Sequence, residues 1–117
     1  MGIPGPEDLI YFFTNKDRYY AHDEIGVVIG KNTNGKLDIS DSVDYYHEIQ
    51  VWNGSWWVYY FKDHSGYFNN YAVYSYSSDG LPHSEQSYRI RGRATFSSHT
   101  FGYVEMTIGT PAFIYGG

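Results

Sequence analysis

Residues 45–62, YYHEIQVWNGSWWVYYFK, decide the fold, because they place two runs of aromatic and β-branched residues on either side of Asn53-Gly54. Such runs favour strands. An Asn-Gly pair between them favours a two-residue type I′ turn, in which both central residues adopt positive φ. That turn would place Val51 opposite Trp56 and would set the pairing of the whole hairpin. The segment therefore predicts two antiparallel strands joined by a tight turn.

Alternation along this hairpin separates two faces, because successive side chains of a strand point to opposite sides of the sheet. We predict that the more apolar face packs into the core. Its members are His47, Ile49, Val51, Trp56, Val58 and Tyr60. The opposite face combines aromatic rings with polar groups. Its members are Tyr46, Glu48, Gln50, Trp52, Trp57, Tyr59 and Phe61.

Short apolar or alternating runs bounded by turn residues predict strands along the rest of the chain. The predicted strands are Leu9–Thr14, Ile25–Gly30, Tyr45–Trp52, Trp56–Lys62, Tyr71–Ser77, Gln86–Phe96, Phe101–Ile108 and Ala112–Tyr115. A helical turn within Pro6–Phe13 is an alternative start. About eight short strands separated by turns favour one all-β domain over residues 1–117, an antiparallel β-sandwich of Greek-key type.

Composition excludes several classes of protein. The 117 residues include no cysteine, and 21% are aromatic. The net charge of −5 argues against nucleic acid as a partner. No apolar run approaches the ~20 residues of a membrane-spanning helix, and the start of the chain does not have the pattern of a signal peptide. We expect a soluble protein, either cytoplasmic or secreted with its leader removed, and a homodimer formed through edge strands is an alternative to a monomer.

The aromatic and polar face of the hairpin is the main candidate site. Aromatic rings stack on the apolar C–H faces of sugars, and carboxylate or amide groups hydrogen-bond to sugar hydroxyls. Exposed aromatic surfaces also mark interaction sites in general. The predicted ligand-binding residues are Trp52, Trp57, Tyr59, Tyr46, Glu48 and Gln50. The alternative is that a second layer covers these rings and that they belong to the core.

The acidic segment after the second predicted strand is a candidate cation site. Its oxygen-bearing side chains and Gly35 partly match a calcium-binding loop, which needs alternating ligands and a glycine at its sharp turn. The candidate ligands are Asn34, Asp38, Asp41 and Asp44. Calcium is the one cofactor that the sequence suggests, and the alternative is an Asn-Gly turn followed by a solvated acidic loop.

A clean alternation of Arg89, Arg91 and Arg93 with apolar residues predicts a half-buried strand whose arginines face solvent. These arginines could bind a phosphate, sulfate or carboxylate, or they could pair across strands near Glu105. Adjacent His47 and Glu48, with an arginine, would suit a small hydrolase or nuclease. The sequence contains no catalytic motif, however, and an enzyme is the class that we favour least.

Residues 43–66 resemble a βγ-crystallin Greek-key motif. Positions that match the motif of that family are Asp44, Ile49, Val51, Tyr59 and Gly66. Val43 replaces an Asn or Asp of the family, His47-Glu48 replaces its serines, and His64 replaces its Phe. The resemblance implies a two-sheet sandwich used for binding or packing.

These observations favour a non-enzymatic, lectin-like binding module that holds carbohydrate on an aromatic sheet face. Two alternatives stay open. One is a βγ-crystallin-like structural or calcium-binding protein. The other is a protein-interaction domain of inhibitor or antitoxin type, in which acidic charge and exposed rings meet a protein partner.

Overall fold

The computed structural model describes residues 5–82 and 85–116, so the expectation about a leader, drawn from the first residues, lies largely outside it. Strands make up most of the regular structure, which confirms the predicted all-β class. They are β1 (Ile10–Thr14), β2 (Arg18–Tyr19), β3 (Ile25–Lys31), β4 (Val43–Trp52), β5 (Trp57–Phe68), β6 (Tyr71–Tyr76), β7 (Gln86–Ser98), β8 (Gly102–Gly109) and β9 (Phe113–Tyr115). A 3₁₀ turn, Pro6–Leu9, precedes β1, and a short helix α1, Thr33–Asp38, lies between β3 and β4.

The strands form two sheets that pack against each other. The smaller sheet has the order β1-β3-β6, and the larger has the order β2-β9-β7-β4-β5, with β8 also paired to β7. Neighbouring strands are antiparallel, apart from the short parallel pairing of β2 with β9. The long strand β7 is central, because it pairs with β4 along one edge and with both β8 and β9 along the other.

The core lies between the two sheets and follows from the alternation of the strands. Odd-numbered residues of β4, from Val43 to Val51, are buried, whereas its even-numbered residues are partly or fully exposed. Ile49 is fully buried, and Ile29 of the smaller sheet is buried on the other side of the core. Burying one such side chain contributes about 1.5–3 kcal/mol to folding.

Each of the eight predicted strands is present, with bounds that differ by up to six residues. Two elements were not predicted. Strand β2 has two residues, too few to show alternation. Helix α1 begins where a turn or a calcium loop was expected, because the side chain of Asn32 caps it by accepting a hydrogen bond from the backbone N–H of Gly35 at 3.0 Å. The alternative helical start is limited to the 3₁₀ turn.

The predicted two-residue turn in the β4–β5 hairpin is wrong. Trp52 pairs with Trp57, which leaves a four-residue loop, 53–56. The carboxamide oxygen of Asn53 closes the loop by accepting the backbone N–H groups of Ser55 and Trp56, each at 2.9 Å. Trp56, predicted to be core, is therefore 65% exposed at the end of the hairpin. The pairing moves by two residues, so the other side chains keep their predicted faces.

A β-bulge interrupts β5 opposite Ile49. Pairing runs from Gln50–Tyr59 directly to Glu48–Asp63, so two extra residues are inserted into β5. Phe61 within the bulge has a φ of 56°, an uncommon conformation for a bulky residue. Because the insertion contains an even number of residues, Asp63 returns to the outer face beside Glu48, and His64 faces inward opposite His47.

Candidate functional site

The six predicted ligand-binding residues lie together on the outer face of the larger sheet, the face that points away from the smaller sheet. Trp52 is 41% exposed and Tyr59 42% exposed, while the other members are partly buried. Trp52 and Trp57 are cross-strand neighbours, with ring centroids 5.5 Å apart and an edge-to-face angle of 61°. We call this set the aromatic face. It consists of Tyr46, Glu48, Gln50, Trp52, Trp57 and Tyr59.

A chain of hydrogen bonds orders the polar groups of the aromatic face. The Tyr46 hydroxyl donates to Oε1 of Glu48 at 2.9 Å, and Nε2 of Gln50 donates to the other oxygen at 3.2 Å. Arg89 of β7 donates through Nε to Oε1 of Gln50 at 2.7 Å. The Arg89 guanidinium also lies over the Trp57 ring, 4.6 Å from its centroid. Because each group restrains the next, the carboxylate, amide and indole are held in fixed positions.

Burial and hydrogen bonding change the acidity of two members of this chain. Burial, followed by the hydrogen bond to Glu48, raises the pKa of Tyr46 to about 12. Burial, followed by the charge of nearby Arg91, lowers the pKa of Arg89. At neutral pH the Tyr46 hydroxyl therefore stays protonated and the Arg89 side chain stays cationic.

Two members of this surface were not part of the predicted site. Asp63 lies opposite Glu48 and accepts a hydrogen bond from the Tyr59 hydroxyl, and that bond is the main cause of the raised pKa of Tyr59. Arg89 was predicted to face solvent, but its contact with Trp57 depends on the pairing of β7 with β4. Alternation gave the direction of the Arg89 side chain, whereas no signal in the sequence identified the neighbouring strand.

The arginine strand continues the surface beyond the aromatic face. Glu48 pairs with Arg91 and Tyr46 pairs with Arg93 in the β4–β7 register. A shallow cleft of about 140 Å³ lies at the far end, and its lining includes Asp44, Tyr46, Arg93, Thr95 and Glu105. Glu105 pairs with Thr95 rather than with an arginine. Glu105 still lines this cleft together with Arg93, as predicted, without an ion pair among the described residues.

The four candidate calcium ligands occupy separate environments. Asn34 is exposed in α1, and Asp44 is exposed on the outer face of β4. The Asp38 carboxylate accepts hydrogen bonds from the Ser98 hydroxyl and from the Thr100 hydroxyl and backbone N–H, which lower its pKa. For Asp41, the backbone carbonyl accepts a bond from Lys31 Nζ at 2.8 Å.

Asp38 therefore helps to fix the turn between β7 and β8. In the part of the chain that the structure describes, no group of three or more His, Asp or Glu residues could hold a metal ion.

His47 and Glu48 point to opposite faces of β4, so they do not form the hydrolase pair considered from the sequence. His47 is 1% exposed and contacts Tyr76 in the core. His64 stacks on Tyr74, with ring centroids 3.8 Å apart, and its Nε2 lies 3.0 Å from the Tyr45 hydroxyl. These two histidines belong to the interior between the sheets, whereas the aromatic face lies on the other side of β4.

The fold and the site together define an all-β, sandwich-like protein with an exposed aromatic and polar sheet face. Comparisons of the chain with protein-family models, with curated proteins and with solved structures found no match. The resemblance to βγ-crystallins therefore stays a prediction. Among the described residues, no helix is long and apolar enough to cross a membrane.

Proposed function

We propose that this protein is a non-enzymatic carbohydrate-binding module and that its ligand lies on the aromatic face. The observation that carries the proposal is the placement of exposed Trp52 and Tyr59 beside a hydrogen-bonded carboxylate and amide on a paired sheet. Rings supply flat surfaces for the C–H faces of a sugar. Glu48 and Gln50 supply hydrogen-bonding groups for its hydroxyls.

The side chains of the aromatic face are held rigidly, which supports a binding site over a set of surface rings without a role. Trp57 is held between Trp52 and the Arg89 guanidinium, and Glu48 is held by two side-chain donors. A preorganised surface loses little side-chain entropy when a ligand binds, which favours affinity. Sites on strands are also more accurately positioned than sites on loops.

The test is a titration with a panel of neutral and acidic oligosaccharides, followed by tryptophan fluorescence and by calorimetry. Trp52→Ala should weaken binding of any sugar that the protein takes by at least about tenfold, which corresponds to ~1.4 kcal/mol. Trp56→Ala is the matched control, because Trp56 is exposed in the hairpin loop outside the aromatic face. The proposal fails if no sugar binds, or if the two variants weaken binding equally while both keep the wild-type melting temperature.

A protein partner is the second candidate, and Phe61 favours it. Its ring is 83% exposed and has no hydroxyl, and it stands in the bulge of edge strand β5. Apolar aromatic anchors of this kind concentrate binding energy in protein interfaces. If a protein is the ligand, Phe61→Ala should reduce its affinity by more than Trp52→Ala does. A sugar that stacks on Trp52 would give the reverse order.

A further inference from the structure

Arg91 and Arg93 are exposed guanidinium groups on the same face as the proposed sugar site. Within residues 5–82 and 85–116, neither forms an ion pair with a carboxylate. Arg89, the third arginine of the strand, is already engaged by Gln50 and Trp57. Two cations on alternate positions of β7 are therefore left available to a ligand.

The hydrogen bonding of Glu48 explains why Arg91 forms no ion pair with the carboxylates that the structure describes. Glu48 is the cross-strand neighbour of Arg91 and would be its natural ion-pair partner. Both oxygens of Glu48, however, accept hydrogen bonds along β4, one from Tyr46 and one from Gln50. The carboxylate is thus held along its own strand instead of reaching across to β7.

Within the described part of the chain, Arg93 lacks an ion pair for a geometric reason. Its cross-strand neighbours are Tyr46 on β4 and Thr107 on β8, neither of which carries a charge. Asp44 and Glu105 both flank Thr95, two residues further along β7, and line the shallow cleft together with Arg93. The cleft thus offers a cation and hydrogen-bonding oxygens side by side.

From this arrangement we infer that the carbohydrate carries isolated carboxylate groups and that Arg91 and Arg93 bind them. The inference rests on the proposed function. The β5 row of rings and the β7 row of arginines are two strand spacings apart, about 10 Å, so one ligand a few sugar units long can reach both. Guanidinium groups suit such ligands, because their forked donors match the two oxygens of a carboxylate.

The surrounding charges favour a ligand whose negative groups are sparse. Asp44, Glu48, Asp63 and Glu105 share this surface with the arginines, and the whole chain carries a net charge of −5. A polymer with a phosphate on every unit, such as single-stranded DNA, would place negative groups against these carboxylates. A glycan with isolated carboxylates can place them at Arg91 and Arg93 and turn hydroxyls towards the acids.

The experiment compares matched ligands. The protein is titrated with hyaluronan oligosaccharides, which carry a carboxylate on alternate sugars, with sialyllactose, and with the carboxyl-reduced, neutral form of each. Cello- and chito-oligosaccharides serve as unrelated neutral sugars, and heparin and single-stranded DNA as dense polyanions. The variants are Arg91→Gln and Arg93→Gln, with Lys36→Gln as the control, since Lys36 is an exposed cation of helix α1.

The inference expects an acidic glycan to bind at least tenfold more tightly than its reduced form. It also expects Arg91→Gln and Arg93→Gln to remove most of that difference, and added salt to reduce it, while Lys36→Gln has no effect. Binding of neutral sugars with equal or higher affinity, and loss of that binding in Trp52→Ala, would overturn the inference and leave the proposed function standing. Preferential binding of heparin or single-stranded DNA would also overturn it. If no glycan binds, both the proposed function and this inference are wrong.

Discussion

The side chains of His47 and Tyr76 join the two sheets through the core. The Tyr76 hydroxyl donates to the backbone carbonyl of His47 at 2.9 Å and lies 2.5 Å from Nδ1 of the same residue. A hydroxyl has one proton, so Nδ1 of His47 must be the donor in the second bond. The pair therefore requires a proton on Nδ1 of His47, and burial of the ring, which is 1% exposed, favours its neutral form.

Stability should fall when the solution is made mildly acidic. Burial, followed by the nearby His64, lowers the pKa of His47 from 6.5 to about 4. In the unfolded chain His47 takes up a proton below pH 6.5, whereas the folded protein resists it. The free energy of unfolding is therefore highest, as far as His47 is concerned, above about pH 6.5. It decreases as the pH falls towards 4, and the decrease amounts to about 2 kcal/mol at pH 5.

Urea unfolding at intervals between pH 7.5 and 5 measures this slope. Burial also lowers the pKa of His64, so this residue contributes in the same direction. His47→Gln should flatten the dependence, whereas His99→Gln, at an exposed turn position, should leave it unchanged. A slope that is the same in all three proteins would show that His47 is not the group responsible.

Removing the Tyr76 hydroxyl should destabilise the protein. Tyr76→Phe keeps the ring in the core but leaves Nδ1 of His47 buried without an acceptor, which costs about 2 kcal/mol. Tyr71→Phe is the control, because Tyr71 is 63% exposed on β6. Chemical denaturation at pH 7.5 measures the free energy of unfolding of both variants. If Tyr76→Phe is as stable as Tyr71→Phe, the Tyr76 hydroxyl has no structural role.

Close contact between β7 and β4 requires glycine at position 92. A Cβ atom there would lie 1.8 Å from the backbone oxygen of Tyr46 and 2.7 Å from the Cα of His47. Because these neighbours are backbone atoms of the central strand pair, we expect Gly92→Ala to cost about 3 kcal/mol. Gly109→Ala on β8 should cost far less, since its nearest contact is the flexible Arg91 side chain at 3.4 Å. Thermal unfolding of the two variants measures the difference.

Local alternation accounts for what could be predicted. Arg89 to Phe96 showed which side chains of β7 point inward, and the hairpin showed the same for β4. The loop length was wrong because Asn53 hydrogen-bonds to its own loop and lengthens it to four residues. The predicted faces of the side chains were nevertheless correct. Successive side chains of a strand alternate between faces, and both the longer loop and the bulge shift the pairing by two residues, which leaves each side chain on the same face.

Contacts between distant segments could not be predicted. The hydrogen bond from Arg89 to Gln50 joins residues 39 positions apart, and the bond between His47 and Tyr76 joins residues 29 apart. Each depends on which strands become neighbours, and alternation within a strand carries no information about that choice. The aromatic half of the candidate site was therefore visible in the sequence, whereas its contact with the arginine strand was not.

The strained bulge residue provides the last prediction. Phe61 has a φ of 56°, a conformation that costs a non-glycine residue about 1–2 kcal/mol. Its ring contacts Tyr59 and Tyr60 edge-on, at centroid distances of 5.6 and 6.0 Å, but is otherwise exposed. Both Phe61→Gly and Phe61→Ala remove these ring contacts, and only glycine also removes the strain. We therefore expect Phe61→Gly to be about 1 kcal/mol more stable than Phe61→Ala in urea unfolding. If the alanine variant is equally or more stable, the bulge does not hold position 61 in the left-handed conformation in solution.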